Sequence, residues 1–203
     1  MELRERIITE AFQMFMKFGI RSVTMDQISG HMGISKRTLY EIFREKNELL
    51  REGLVYFTNV RRAEAKQIIE SSGNVIEAIY ILTRNGEEMR KQINPMFFED
   101  IRKYFPDIHH NLTNEGRKRE YGFTLQLLKR GVGEGLFRED LELDMVNTFI
   151  HQMMDIVMKE EVFPKDRYTN SDIFENIMMP YLSGISTEKG KKQIQKYFEK
   201  EIK

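Results

Sequence analysis

Apolar side chains along this chain recur at helical spacing and nowhere alternate strictly one by one, and that pattern confines it to helices. Near the N-terminus Ile8, Ala11, Phe12 and Phe15 fall at i, i+3, i+4 and i+7, which lines one face of an amphipathic helix. Glycines cluster between long periodic stretches, and the prolines stand at positions 95, 106, 164 and 180. A chain of 203 residues with this pattern is long enough to bury a real core, and it predicts an all-α protein. About nine or ten helices are expected, with no strand, internal repeat or low-complexity segment.

The first sixty residues are the most informative. Gly19 is placed to end the first helix. Thr24, with Gln27 three positions on, forms a capping-box pattern, and Met25, Ile28 and Met32 share one face of a short second helix. Gly33 suits a tight turn, and Ser35 can cap a third helix whose Leu39, Ile42 and Phe43 point inward. Three short helices, the last two joined by a turn of about four residues, make a helix-turn-helix.

A core helix gains little from Lys36, Arg37, Thr38 and Tyr40 in its first turns, so these side chains are read as kept for a partner. A helix N-terminus presents free backbone N–H groups and a positive dipole end, which favour phosphate. Cationic and hydroxyl side chains there suit the backbone of double-stranded DNA or base edges in its major groove. Taken singly, Ser35 and Thr38 serve equally well as local caps, and Lys36 and Arg37 as a solvated face. Together, in register with the turn glycine and the apolar inner stripe, they predict DNA binding.

The segment "TMDQISGHMGISKRTLYEIFREKNELL" resembles the DNA-binding domain of the TetR family of bacterial transcriptional regulators. Thr38, Leu39, Tyr40, Phe43, Lys46, Leu49 and Leu50 match the family pattern, and Gly33, Ile34 and Ser35 match its turn. The likeness covers roughly residues 5 to 52, and it departs at Ser29 and Gly30, where the family often has alanine and helicity is stronger. The resemblance implies that Thr38 and Tyr40 contact phosphates beside Ser35, and that Thr24 and Lys46 do so from the starts of the second and fourth helices. Arg37, with Lys36, is expected to read bases, since a guanidinium addresses guanine in bidentate fashion; Lys36 serves equally on a phosphate. Leu39 and Phe43 belong to the core.

Residues 1–60 are therefore read as a helix-turn-helix head with the start of a linking fourth helix, which runs from Lys46 to about Ile69. By the resemblance, residues 61–203 are a larger helical body that binds an unknown small-molecule effector and dimerises. Helices should start just after Pro95 and Pro106. Phe97, Phe98, Tyr104, Tyr121, Phe149 and Met153 are candidates for lining a pocket, with plain core packing as the alternative. "DMVNTFIHQMMDIVMKE" and "SDIFENIMMPYLSGI" carry apolar residues on more than one face. The resemblance implies a homodimer interface there, with Phe149, Met153, Ile173, Ile177 and Tyr181; burial within one subunit is the alternative. Two-fold symmetry would set two recognition helices about one DNA turn apart, as a palindromic operator requires. "RGVGEGLFRED" is read as an interhelical loop, because no strand precedes it to make a dinucleotide fingerprint. Ile194, Phe198 and Ile202, at i+4 spacing beneath lysines, suggest a terminal helix docked on the body in preference to a membrane or nucleic-acid contact.

Several function classes fall away. Lys and Arg number 32 and Asp and Glu 32, so the net charge is zero and any attraction for nucleic acid must be local. No cysteine is present, which excludes disulfides, thiolate metal sites and cysteine nucleophiles. "MELRERIITEAF" lacks the apolar region of a signal peptide, and no apolar run approaches the roughly 18 residues of a membrane span. A soluble cytoplasmic chain is expected, with no membrane partner and "NLT" at Asn111 a chance match. His151 and Asp155 at i, i+4, and His109 and His110 beside Asp107, lack a third metal ligand. Nucleophile elbows and phosphate loops are absent, so no enzyme, metal or cofactor is expected. The expectation is a ligand-responsive repressor, with activation as the other sign the architecture allows. The competing reading is an architectural or adaptor DNA binder that senses no small molecule.

Overall fold

The computed structural model describes residues 2–157, 159, 161–164 and 166–198, with side chains described outside 109–120. The helices are α1 (Leu3–Phe18), α2 (Met25–Met32), α3 (Lys36–Ile42), α4 (Lys46–Ser71), α5 (Val75–Gln92) and α6 (Pro95–Tyr104). They continue with α7 (Pro106–Gly133), α8 (Leu143–Val157), α9 (Asn170–Ile173), α10 (Met179–Ile185) and α11 (Glu188–Phe198). Among the described residues the β-type pairing is a single bridge between Phe137 and Ser186. Among the described residues eleven α-helices stand against the nine or ten expected, because one run is interrupted: a π-helical turn, Phe174–Met178, separates α9 from α10. Pro180 accounts for it. Proline has no N–H to give the carbonyl of Asn176 and its ring crowds that carbonyl, so the hydrogen-bond ladder widens just before it. The Met179 N–H accordingly reaches back five residues to the Phe174 carbonyl.

The chain divides into two compact units, Met1–Glu70 with Leu82–Asn114, and Ser71–Ile81 with Glu115–Lys203. In the first, Ile7, Ala11, Phe15, Ile20, Ile28, Leu39, Phe43, Leu49 and Leu50 form a buried apolar cluster. The helix boundaries follow the local chemistry. Thr24 Oγ1 accepts from the Gln27 N–H at 3.2 Å, and Gln27 Oε1 accepts from the Thr24 N–H at 2.8 Å, which closes the capping box. Gly33 ends α2 with φ 66°, a left-handed conformation that glycine adopts without steric cost. This unit also takes in α6, beyond residue 60: the Phe97 ring stands edge-on to Phe12 with centroids 5.6 Å apart. The Asn94 N–H donates to the Met16 carbonyl at 2.8 Å.

In the second unit α11 docks through Ile194 and Phe198, both buried. Phe198 meets Tyr80 edge-on at 5.1 Å and Phe174 at 5.6 Å, whereas Ile202 lies outside the described residues. The glycine-rich stretch is not all loop. α7 continues through Gly133, so "RGVG" forms its last turn, and the Leu136 and Phe137 N–H groups fold back onto the Gly131 carbonyl at 2.9 and 3.0 Å. The N-terminal turn of α11 then crosses this bend. The Thr187 N–H donates to the Leu136 carbonyl at 2.9 Å, and Gly190 packs directly on the same carbonyl.

A Cβ at Gly190 would collide with the Leu136 carbonyl oxygen, which is backbone and cannot swing aside. Gly190→Ala is expected to cost about 1–3 kcal/mol, read as a lower Tm. Gly86→Ala, where nothing lies within 4 Å of an added Cβ, should stabilise by up to about 1 kcal/mol through helix propensity. Equal Tm values for the two variants would contradict this packing.

Candidate nucleic-acid interface

The short helix α3 is held from behind and open in front. Leu39 and Phe43 are fully buried, and Ile42 packs against the same cluster. At its start Ser35 Oγ accepts from the Thr38 N–H at 3.0 Å, and the two hydroxyls lie 2.8 Å apart. Ser35 is engaged as the local cap with the Thr38 hydroxyl against it, and that places both oxygens at the helix N-terminus, where the free N–H groups are.

On the opposite face the Arg37 side chain is 87 % exposed and Tyr40 is 48 % exposed. Lys36 forms an ion pair with Asp26 of α2, and Arg37 Nε donates to Glu41 Oε1 at 2.9 Å, one turn further on. Exposed pairs of this kind contribute at most about 1 kcal/mol, so a phosphate or a base edge can displace either carboxylate at little cost. Thr24 is also exposed, with its hydroxyl at the N-terminus of α2.

Lys46 is placed differently. Its ammonium donates to the carbonyls of Ile20 and Val23, both at 2.7 Å, so two of its three donors brace the loop between α1 and α2. Burial pulls its pKa below the ordinary lysine range, with the Asp100 charge acting against that and Arg21 adding to it.

Asp100 and Arg21 are functional neighbours that the sequence pattern passed over. Asp100, on α6, is 2 % exposed, and its Oδ2 accepts from the Arg21 N–H at 2.9 Å. The Arg21 guanidinium lies 4.3 Å over the Tyr104 ring and donates to its hydroxyl at 2.8 Å. A carboxylate inside "FFEDIRKYF", on the helix face that carries Phe97, Ile101 and Tyr104, is the signal that would have revealed it. Together α6 and Lys46 hold the loop that leads into Thr24 from both sides.

The six pocket candidates separate. Phe97, Phe98 and Tyr104 belong to the first unit: Phe97 packs on Phe12, Phe98 is exposed, and Tyr104 is taken up by Arg21. Tyr121, Phe149 and Met153 belong to the second unit. There the Tyr121 hydroxyl bonds with that of Thr148 at 2.9 Å and donates to the Asp144 carbonyl at 3.1 Å. Met153 is buried, whereas Phe149 is 52 % exposed, with its ring 5.1 Å from Tyr181. Ile173, Ile177 and Tyr181 are half-buried, on α9, the π turn and α10 in turn. The side chains of His109, His110 and Asn111 lie outside the described residues. Among the described residues no three His, Asp or Glu side chains gather as a metal site, and no helix is long and apolar enough to cross a membrane.

A capped recognition helix with a basic, solvent-facing surface, set in a three-helix apolar head, defines a helix-turn-helix DNA-binding protein. Residues 7–52 match the profile of the bacterial regulatory proteins, tetR family. The HTH-type transcriptional repressor KstR2 of Mycobacterium tuberculosis is 25 % identical over 150 residues, covering 72 % of this chain and 75 % of that one. The HTH-type transcriptional regulator YvaF of Bacillus subtilis is 25 % identical over 188 residues, covering 91 % and 96 %. A transcriptional regulator from Saccharomonospora viridis, solved in complex with choline, shares the fold with a TM-score of 0.63 at 18 % identity, covering 91 % and 97 %. The chain is a DNA-binding transcriptional regulator similar to those of the TetR family, and the family match itself lies in the head, residues 7–52.

Asp100→Ala would leave the Arg21 N–H without its acceptor and remove the opposing charge that acts on Lys46. It is expected to cost about 1–3 kcal/mol in denaturant unfolding. An unchanged unfolding midpoint would show that this contact is not made in solution.

Proposed function

We propose that this regulator is a ligand-responsive repressor that binds a palindromic operator as a homodimer, with residues 1–60 as the DNA-binding domain and 61–203 as the effector-binding and dimerisation domain. The observation that carries the reading is α3, whose Arg37 and Tyr40 stand in solvent while Leu39 is fully buried behind them. Arg37 reads a base edge, and Lys36 reads a base or holds a phosphate. Thr24, Ser35, Thr38 and Tyr40 hold phosphates at the two helix starts. Lys46 adds its remaining donor to the backbone while it keeps the α1–α2 loop in place.

Dimerisation fits the outer face of α8. Met145, Phe149 and Ile156 are exposed at i, i+4 and i+11, an apolar stripe of the kind that a second copy covers. Tyr181, beside Phe149, extends it, with Ile173 and Ile177 on the adjoining run. Met153 faces the interior of its own unit and, with Tyr121, is assigned to the effector site. The relative from Mycobacterium tuberculosis is named a repressor, which supports that sign for this chain. Effector binding acts by population shift: a ligand that prefers the arrangement of the two heads unsuited to the operator lowers DNA affinity by the difference in its affinities for the two states. The protein acts in the cytoplasm and catalyses no reaction.

Purified protein binding to labelled DNA from upstream of its own gene, across a salt series and beside Arg37→Ala, tests the reading. Tight, sequence-selective binding that falls steeply with salt is expected, with the variant losing about 1–3 kcal/mol of discrimination at one base pair of each half-site. Salt-dependent binding without sequence preference would favour the architectural alternative. A Met145→Asp, Phe149→Asp double variant is expected to sediment as a folded monomer and to lose operator affinity. A persistent dimer would place the interface elsewhere.

A further inference from the structure

Among the described residues of the second unit, two buried polar side-chain atoms make no hydrogen bond, and they lie on one face of α8. Asn147 is 0 % exposed, and its Nδ2 donates to the Tyr121 carbonyl at 2.9 Å. That bond fixes which way the amide points and leaves Oδ1 buried without a partner. His151 Nε2 is buried without a partner as well. The His151 ring is stacked on that of Tyr121, with centroids 5.4 Å apart and planes at 24°.

Positions 147 and 151 are i and i+4, so the two atoms are neighbours on the helix surface. Buried polar groups in native folds are almost always satisfied, and two unsatisfied ones side by side mark a place where something else supplies the bonds. By the same spacing Ile150 and Met154 flank the pair along α8, and the Tyr121 ring covers His151.

We propose that Asn147 and His151 form the polar end of the effector site and take a neutral hydroxyl group carried by an otherwise apolar molecule. The proposal rests on the ligand-responsive reading above. An amide oxygen only accepts, so the ligand must donate to Asn147 Oδ1; imidazole Nε2 donates or accepts according to its tautomer. A hydroxyl satisfies both atoms with one group, because it donates through its hydrogen and accepts on its oxygen. A carboxylate or phosphate would set its lone pairs against those of Asn147 Oδ1, and a purely apolar molecule would leave both atoms unpaired.

The test uses the full-length protein labelled with 15N, observing the Asn147 side-chain amide and the His151 ring nitrogens. Cyclohexanol, cyclohexanecarboxylate and methylcyclohexane serve as probes. Cyclohexanol is expected to move both sets of resonances saturably and to bind at least tenfold more tightly than the other two. Asn147→Leu, which keeps the shape and removes the oxygen, and His151→Phe, which keeps the ring stack and removes the nitrogens, should each abolish that preference with Tm retained. Equal response to all three probes, or a trapped water that cyclohexanol fails to displace in a crystal, would overturn the proposal.

A parallel screen for compounds that release the labelled upstream DNA separates this proposal from the reading beneath it. Release by a compound that leaves both sets of resonances unmoved sinks the hydroxyl site and keeps the ligand-responsive repressor. Cyclohexanol bound as described, with no compound releasing DNA, does the reverse.

Discussion

Burial of Leu39 and Phe43 against the α1 and α2 side chains is the constraint from which the exposed basic surface of α3 follows. A seven-residue helix such as α3 cannot hold itself together in water, so its existence and its rotation are both set by the face it buries. Once Leu39 and Phe43 are committed inward, Lys36, Arg37 and Tyr40 have only the solvent side left to them. The caps at Thr24 and Ser35 then decide where each helix starts, and hence where the free N–H groups point. The exposed basic surface of α3 thus rests on apolar contacts that lie behind it.

The loop that enters α2 is secured by polar contacts made within a mostly apolar environment. Lys46 reaches two of its carbonyls, Asp100 takes one of its N–H groups, and Tyr104 receives the Arg21 side chain. A half-buried ammonium and a buried carboxylate each cost desolvation, and each offsets it with charge-assisted hydrogen bonds to main-chain groups. Those bonds orient the loop, whereas apolar side chains there would leave its carbonyls and N–H groups unpaired. The same ammonium is the one the family resemblance assigns to a phosphate, and two of its three donors are already given to the loop.

Local signals were legible and distant ones were not. The capping box, the turn glycine, the serine cap and the inner stripe of α3 depend on residues within a few positions of one another, and the sequence spacing predicts all four. The Asp100–Arg21 bond joins residues 79 positions apart, and no periodic pattern announces it. The aromatic residues of the body show the same limit. Phe97 and Phe149 look alike in the sequence, yet one packs against Phe12 and the other faces outward beside Tyr181. Helical spacing tells which residues share a face; it does not tell which neighbour that face meets. His151 is read from spacing only as half of an incomplete metal pair, and its relation to Asn147 emerges only once Tyr121 is seen lying across the ring.

The π turn ahead of Pro180 sets a phase difference in the run from Asn170 to Ile185. One extra residue in a helical turn rotates everything beyond it by about 100° relative to an unbroken helix. Side chains before and after the turn therefore answer to different clocks: Tyr181, eight residues on from Ile173, stands where the seventh residue would stand in an unbroken helix. Any relative that lacks the proline and winds this run without the wide turn would present a different edge of α10 to whatever lies against it, even with every apolar residue kept in place.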